Sequence, residues 1–516
     1  MPDNISHTAL DWSLAHMRRY GDTDIFPTPF EFDSIAAAWP WLRDELGNRD
    51  LATYALGPSQ RFLVPKPNGG FRPAVQLDPI DSIVFLAMIY EALPQLEAAR
   101  VPADRRIACS YRIDVAPDGR LFREDNGWPD FQERSRELIT NGAVTHVVMA
   151  DISDFYNSIY HHRLENSLAT AGVSEVRRKD CITFINQLTA TQSTGIPVGP
   201  FASIILAEAC MTDVDNMLLR KGYVHTRYVD DFRIFCTSRR EAWRAMHDLS
   251  EYLYSAHRLN LEASKSRIIT AQVFADRELV DPEDLDQAQR DEIVAALLAG
   301  IQHAGPYGNG EAELDEETLD EATRQGVADL FETCVSERPL QLGLARYLLR
   351  KAARLRTHVL VDLVFANLPT LTPVLRDVAR YVKAAMRKQF SPVHHQSLLQ
   401  FLTASDVSDL PFVQLWAVEI MRTVPAVRDD ATLISLCERY VATLGLRPAA
   451  LAALTLQRED WVRGRKETWR SSAEWDRRAI LEAGRILPAD ERKHWLGYVE
   501  GVSTGLDRAV AQSAAA

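Results

Sequence analysis

Three aspartates carry the chemistry that this sequence offers. Asp151 closes the β-branched run VTHVVMAD, and Asp230 and Asp231 stand side by side 79 positions later, inside HTRYVDDFRIF. Adjacent carboxylates repel each other and strand interiors are poor in Asp, so the pair is unfavourable unless cations neutralise it. Magnesium takes hard oxygen ligands in octahedral geometry, usually one or two carboxylates plus substrate phosphates. Two such ions about 3.5–4 Å apart activate a hydroxyl and stabilise a leaving group. An Asp-Asp pair in a turn is by itself most often a solvated surface turn. The surrounding elements decide between the two readings.

Those elements must bring Asp151 to the Asp pair. The segment around Asp151 reads as a strand, and two short strands flank Asp230-Asp231 as a hairpin. Two helical stretches fill the interval, one over 159–190 and one over SIILAEACMTDVDNMLLRKG. The helix REAWRAMHDLSEYLYSAH and a strand near SRIITAQVF follow. Upstream, ALDWSLAHMRRY and FEFDSIAAAWPWLRDEL read as helices, RFLVPKPNGGFRPAVQL as a hairpin, and PIDSIVFLAMIYEALPQLEAA as a helix. The Pro-Asn-Gly-Gly of the hairpin supplies the positive φ of a tight turn. Beyond about residue 325 helical periodicity dominates to 512, at 35–45 residues per helix pair. That spacing predicts an α-helical repeat array.

Composition is that of an ordinary globular protein, 46% apolar and 25% charged in 516 residues. The net charge of −13 argues against nucleic acid as a partner only until its distribution is read. Residues 271–330 hold 16 Asp and Glu against 3 Arg and no Lys, so this segment alone accounts for the whole −13. The remainder is neutral overall and contains basic clusters. Six dispersed cysteines without a CxxC pair argue for a reducing compartment and against structural zinc. The adjacent pairs His161-His162 and His394-His395 diverge by about 100° on a helix and are assigned no metal. The N-terminal stretch lacks a basic-then-apolar signal pattern and no apolar run reaches about 18 residues. A cytoplasmic protein without membrane contact is expected.

Six segments in order resemble the reverse transcriptase family. YVDD (Tyr228–Asp231) resembles its Y-x-D-D catalytic hairpin, and DISDFYNSI from Asp151 its first aspartate motif. TGIPVGPFASIILAE resembles the loop-helix G-x-P-x-G-x-x-x-S, and LNLEASKSRII the motif that ends in Lys. RFLVPKPNGGFRPA is similar to the fingers hairpin, and ACSYRID to a short segment before the first aspartate. The resemblance spans about residues 60–270. Val198 stands where many relatives carry Gln, which removes a polar side chain near the nucleotide. The Pro-x-Gly-Pro-x-x-Ser form is similar to the bacterial abortive-infection and defence-associated branch.

The resemblance implies an α+β right-hand polymerase, with fingers and an antiparallel palm sheet, fused to an all-α HEAT-like domain. The expected boundaries are 1–275 for fingers and palm, 276–325 for an acidic connector and 326–516 for the helical domain. Asp151, Asp230 and Asp231, with the backbone carbonyl of Ile152, would hold two Mg²⁺ ions, or Mn²⁺ in their place. Tyr156 would lie under the sugar and exclude a ribose 2′-hydroxyl. Lys66 and Arg72 would grip the triphosphate, and Lys265 would protonate the pyrophosphate. Gly195, Pro197 and Gly199 would shape the loop beneath the nascent base pair. Each has an ordinary alternative: a core aromatic, a solvated hairpin tip, a strand-end lysine.

Charge adds a reading of the helical half. Arg346, Arg350 and Arg354 recur every four residues, as do Arg376 and Arg380, joined on that face by Lys383 and Arg387. Two such stripes on adjacent helices make a cationic groove for a phosphate backbone; solvated ion pairs are the alternative. Some members of the branch prime from a tyrosine, and nothing singles out one of Tyr307, Tyr347, Tyr381, Tyr440 and Tyr498. The expected partners are dNTPs, an RNA such as a dedicated noncoding RNA, product DNA, and a second copy or a defence partner protein. The expected function is DNA synthesis in antiphage defence, templated by RNA or untemplated and protein-primed. An RNA-dependent RNA polymerase and an inactive nucleic-acid-binding scaffold are the alternatives.

Overall fold

The computed structural model describes residues 4–67, 69–123, 127–140, 142–190, 192–279, 321–386, 392–425, 428 and 430–516. Arg387, Tyr307 and most of the expected acidic connector lie outside the described residues. A helical N-terminal region begins with α1 (His7–Tyr20) and α2 (Glu31–Ala37). The predicted hairpin follows as β1 (Gln60–Pro65) and β2 (Phe71–Gln76), antiparallel with Val64 opposite Arg72. Helix α3 (Pro79–Tyr90) is buried from Pro79 to Ile89, as a segment apolar on all sides must be. Pro94 stands in the first turn of the next helix, Leu93–Ala99, so the single helix expected here is two.

The palm sheet has the order β4-β5-β3-β6 and is antiparallel throughout. Its strands are β3 (His146–Asp151), β4 (Val224–Tyr228), β5 (Asp231–Cys236) and β6 (Arg267–Thr270). Alternation sends Val148 and Ala150 into the main core, which they share with α4 (Phe201–Arg220) and α5 (Arg239–Tyr252). Val147 lies on the opposite face in a small cluster with Leu138, Phe235 and Phe274. Asp151 shares the parity of Val147, so it stands on this second face, at the strand end. The strand expected through SRIITAQVF stops at Thr270. The Thr270 side chain accepts a hydrogen bond from the Val273 amide and so caps a helix over Ala271–Glu278. The helix expected over 159–190 breaks at Gly172 (φ +86°) into His161–Thr170 and Glu175–Leu188.

The C-terminal region is helical. Helix α6 (Leu342–Arg354) packs on α7 (Leu375–Ala385), which packs on α8 (Pro411–Thr423). The stack continues through α9 (Arg447–Thr455) and α10 (Glu474–Ala483) to α11 (Gly505–Ala515), which also packs on α2. This region is joined tightly to the rest. Arg447 forms a two-point pair with Glu31 at 2.6 and 2.8 Å, and Arg478 pairs with Asp78 at 2.7 Å. Indole nitrogens of Trp416, Trp475 and Trp41 donate to Ile25 O, Pro58 O and Gln512 Oε1. The Phe26 ring lies against both Phe62 and Phe412, so the fingers hairpin rests on the helical region. No single helix among the described residues is long and apolar enough to cross a membrane.

Candidate active site

Register brings the three aspartates together. Asp151 and Asp231 are direct cross-strand partners, and Tyr228 faces Asp231 across the turn Val229-Asp230. One carboxylate oxygen from each of Asp151, Asp230 and Asp231 lies within 4.8 Å of the others. Like charges directly opposite on a sheet destabilise it, and the electrostatics follow. Burial pushes Asp230 up to about 6, helped by the charge of Asp151 and opposed by Arg72 and Lys265. Burial likewise raises Asp231, to about 7, with Asp230 and Asp151 adding to it. The Lys265 ammonium stands 3.0 Å from Asp151 Oδ2. Burial works against its charge, but the bond to Asp151 outweighs this and its pKa is raised. An all-oxygen donor set of three converging carboxylates suits a hard divalent cation, so the residues fit such an ion.

The backbone around the cluster is tied on both sides. The Ile152 amide donates to Asp230 O at 3.3 Å, and the Glu262 amide to Asp151 O at 2.7 Å. Ile152 itself is buried. Tyr156 is half-buried, and its carbonyl accepts from the Ile196 amide at 2.9 Å. Burial raises its phenol, and the neighbouring charge of Asp230 adds to this. The loop of Gly195, Pro197 and Gly199 is therefore stitched directly behind Tyr156.

Both glycines of that loop are required by geometry. A Cβ on Gly195 (φ +93°) would meet Asn157 O at 3.3 Å, and one on Gly199 (φ +130°) would meet Val75 O at 2.8 Å. The Val75 amide donates to Val198 O at 2.9 Å, which seats β2 against the loop. His161 Nε2 lies 2.7 Å from Gly195 O and Nδ1 lies 2.6 Å from Asn186 Oδ1, so this histidine supports the loop. Val198 packs against the helical core, in a position that an apolar side chain suits. Arg72 is exposed on β2 with its charge felt at Asp230, while Lys66 stands exposed at the hairpin end.

The basic stripes do meet. Arg346 and Arg350 on α6 both face Asp377 on α7, at 3.6 and 2.7 Å. Burial lowers Arg380, and the charges of Arg376 and Arg350 lower it further, so cations from both helices crowd one surface. Arg346, Arg350, Arg354 and Arg376 are half-buried and Lys383 is exposed, while Arg380 keeps part of its side chain open to solvent although its charge is desolvated among these neighbours. Arg350 also acts on Tyr228, and Arg346 on Tyr111, so α6 lies toward the β4-β5 hairpin that carries Asp230 and Asp231.

Sequence reasoning missed the support beneath the hairpin. Residues 107–111 run beside β4, with Ala108 bridged to Arg227 and the Cys109 amide donating to Arg227 O at 2.9 Å. Arg227 is fully buried and pairs with Asp215 and Glu208, at 2.7 and 3.1 Å. Arg100 reaches Glu208 at 2.8 Å. The available signal was a charged residue inside each of two apolar elements, Glu208 in SIILAEAC and Arg227 in HTRYV, since buried charges need partners.

Residues 64–293 match the family described as reverse transcriptase (RNA-dependent DNA polymerase). Similar solved structures include telomerase from Candida albicans in complex with the TWJ fragment of telomeric RNA, at 10% identity and TM-score 0.31. That match covers 81% of this chain and 71% of the other. Apo telomerase from Candida tropicalis is 9% identical with TM-score 0.34, covering 70% of this chain and 68% of that one. No curated protein matches the chain.

Proposed function

We propose, from the premise that residues 64–293 are a reverse transcriptase domain, that this protein is an RNA-directed DNA polymerase that adds dNTPs to a hydroxyl primer. The observation that carries the reading is the convergence of Asp151, Asp230 and Asp231 at the joined ends of β3 and β5. Two Mg²⁺ ions bound there would lower the pKa of the primer hydroxyl and neutralise the departing pyrophosphate. Asp151, Asp230, Asp231 and the Ile152 carbonyl are the ligands in this reading. Arg72 and Lys66 bind the triphosphate, Lys265 delivers a proton to the pyrophosphate, and Tyr156 closes the space that a 2′-hydroxyl needs. Gly195, Pro197 and Gly199 hold the floor of the nucleotide site against β2.

The helical region serves as the nucleic-acid clamp, with Arg346, Arg350, Arg354, Arg376, Arg380 and Lys383 along the phosphate path. Its alternating stack is read as a HEAT-like array. The same proposal divides the chain into fingers and palm over 1–275, an acidic connector over 276–325 and a helical arm over 326–516. The form of the Pro-x-Gly-Pro loop supports membership of the bacterial defence-associated branch, hence a cytoplasmic antiphage role with an RNA template. Purified protein incubated with Mg²⁺ and labelled dNTPs or NTPs tests the activity. Incorporation of dNTPs that Asp230→Asn abolishes supports it; preference for NTPs overturns the DNA assignment.

A further inference from the structure

We propose that Ser110, Glu208 and Arg227 form a buried clamp that fixes Asp230 in place, and that this clamp sets how tightly the carboxylate cluster binds a divalent cation. The inference rests on the metal-site reading above. It begins from a conformational anomaly. Val229, the residue before Asp230, has φ +56°. A β-branched residue in the left-handed region is a genuine outlier, and such a residue persists only where its surroundings over-determine it.

Both peptide groups of Val229 are held. Its amide donates to Ser110 Oγ at 2.9 Å, and its carbonyl accepts from Arg227 Nη1 at 2.9 Å. The two holds converge on one carboxylate. Ser110 Oγ donates to Glu208 Oε1 at 2.5 Å, and Arg227 Nη1 donates to Oε2 at 3.1 Å. Arg100 fixes the same carboxylate from behind, donating through Nη2 to Glu208 Oε2 at 2.8 Å and to Ser110 O at 2.7 Å. Asp215 grips the far side of the Arg227 guanidinium through Nε and Nη2, at 2.9 and 2.7 Å. Ser110 and Arg227 are fully buried and Glu208 nearly so. They are positioning residues, acting on the cluster through the backbone of Val229. Groups bonded directly to a metal ligand change affinity by about 10–100-fold when removed, and a hold one residue away is expected at the lower end of that range.

A purely structural network would affect melting and leave cation binding alone. The test therefore titrates metal-free full-length protein with Mn²⁺, without nucleotide, and reads free Mn²⁺ by electron paramagnetic resonance. Ser110→Ala, which removes the acceptor of the Val229 amide, is expected to weaken Mn²⁺ binding about tenfold at a melting temperature close to that of the wild type. Ser110→Thr, which keeps the hydroxyl, is expected to restore it. If Ser110→Ala melts below the assay temperature, Ser110→Cys takes its place, because it keeps the volume and loses the strong acceptor. A folded Ser110 variant that binds Mn²⁺ like the wild type, while Asp230→Asn loses binding, overturns the clamp and spares the metal site. Wild-type protein that takes up no Mn²⁺, or Asp230→Asn that binds as well as wild type, overturns both.

Discussion

Lys265 Nζ lies 3.0 Å from Asp151 Oδ2, one ammonium set against a cluster of three carboxylates. Its position follows from β6, which pairs with β3 so that the segment entering it passes the end where Asp151 stands. A point charge there steadies Asp151, and in the proposed reaction it is the group that protonates the departing pyrophosphate. Lys265→Met is expected to lower single-nucleotide incorporation by about 10²-fold, the usual scale for loss of a general acid. Lys265→Arg should recover only part of this, because guanidinium holds its proton. Single-turnover kinetics with saturating dNTP reads the effect.

The carboxylate cluster makes stability depend on pH. Asp230 and Asp231 have folded-state pKa values raised to about 6 and about 7. Raised carboxyls favour folding while protonated. Their contribution is therefore complete below an ordinary pKa of about 4 and is lost as pH climbs through about 6 to 7. Metal-free protein should lose melting temperature on this count across that window, and Asp231→Asn should flatten the loss. Added Mg²⁺ should also remove it, with affinity rising over the same range. Differential scanning fluorimetry from about pH 4 to 8, with and without Mg²⁺, checks both.

Gly199 has no room for a side chain. A Cβ would stand 2.8 Å from Val75 O, at φ +130°. Gly199→Ala is expected to push β2 away from the loop and shift Arg72 with it. The apparent KM for dNTP should rise about tenfold or more, since misplacing a binding group by about 1 Å costs up to 10²-fold. The test is a dNTP titration at fixed primer-template.

In the proposed clamp, Arg380 and Lys383 should govern salt dependence. Arg380→Gln together with Lys383→Gln is expected to weaken binding of short RNA–DNA duplexes and to reduce the log-log salt slope by about 1 for each phosphate no longer neutralised. Arg350 is held at 2.7 Å by Asp377, so Arg350→Gln should cost stability as well. Fluorescence anisotropy across a salt series, set beside thermal melting of each variant, separates these effects.

Arg478 is 2% exposed and pairs with Asp78, which also caps α3 by accepting from the Ile80 amide. Arg478→Met strands that carboxylate, and breaking a buried pair in this way costs about 3–5 kcal/mol. Adding Asp78→Asn keeps the cap and removes the stranded charge, so the double variant should recover much of the loss. Urea denaturation of the four proteins closes the cycle.

What the sequence made legible was what local pattern encodes. The β-branched run marked out β3, the turn residues marked out the β1-β2 hairpin, and the Asp151 and Asp230-Asp231 motifs could be expected to meet. What it concealed was pairing between distant segments. Ser110 lies far upstream of Glu208 and Arg227, and no periodicity links the three. Asp377 was visible as one of two acids among ten Lys and Arg over 346–388, yet only packing of α6 on α7 shows that it claims two of the arginines. Element ends were misread where a single residue decides them. Thr270 turns an apolar strand-like run into a capped helix, and Gly172 divides one helix into two.

The stacking of α11 on α2 bears on how the folded protein comes into being. Residues near 510 share the main core with residues from the first fifty, and Trp41 donates to Gln512. During synthesis the β4-β5 hairpin leaves the ribosome long before the helices that complete its core. A nascent chain thus carries its aspartates and hairpin on an unfinished scaffold with apolar surface exposed. The main core therefore closes only after residues 505–515 have emerged and packed against the first fifty.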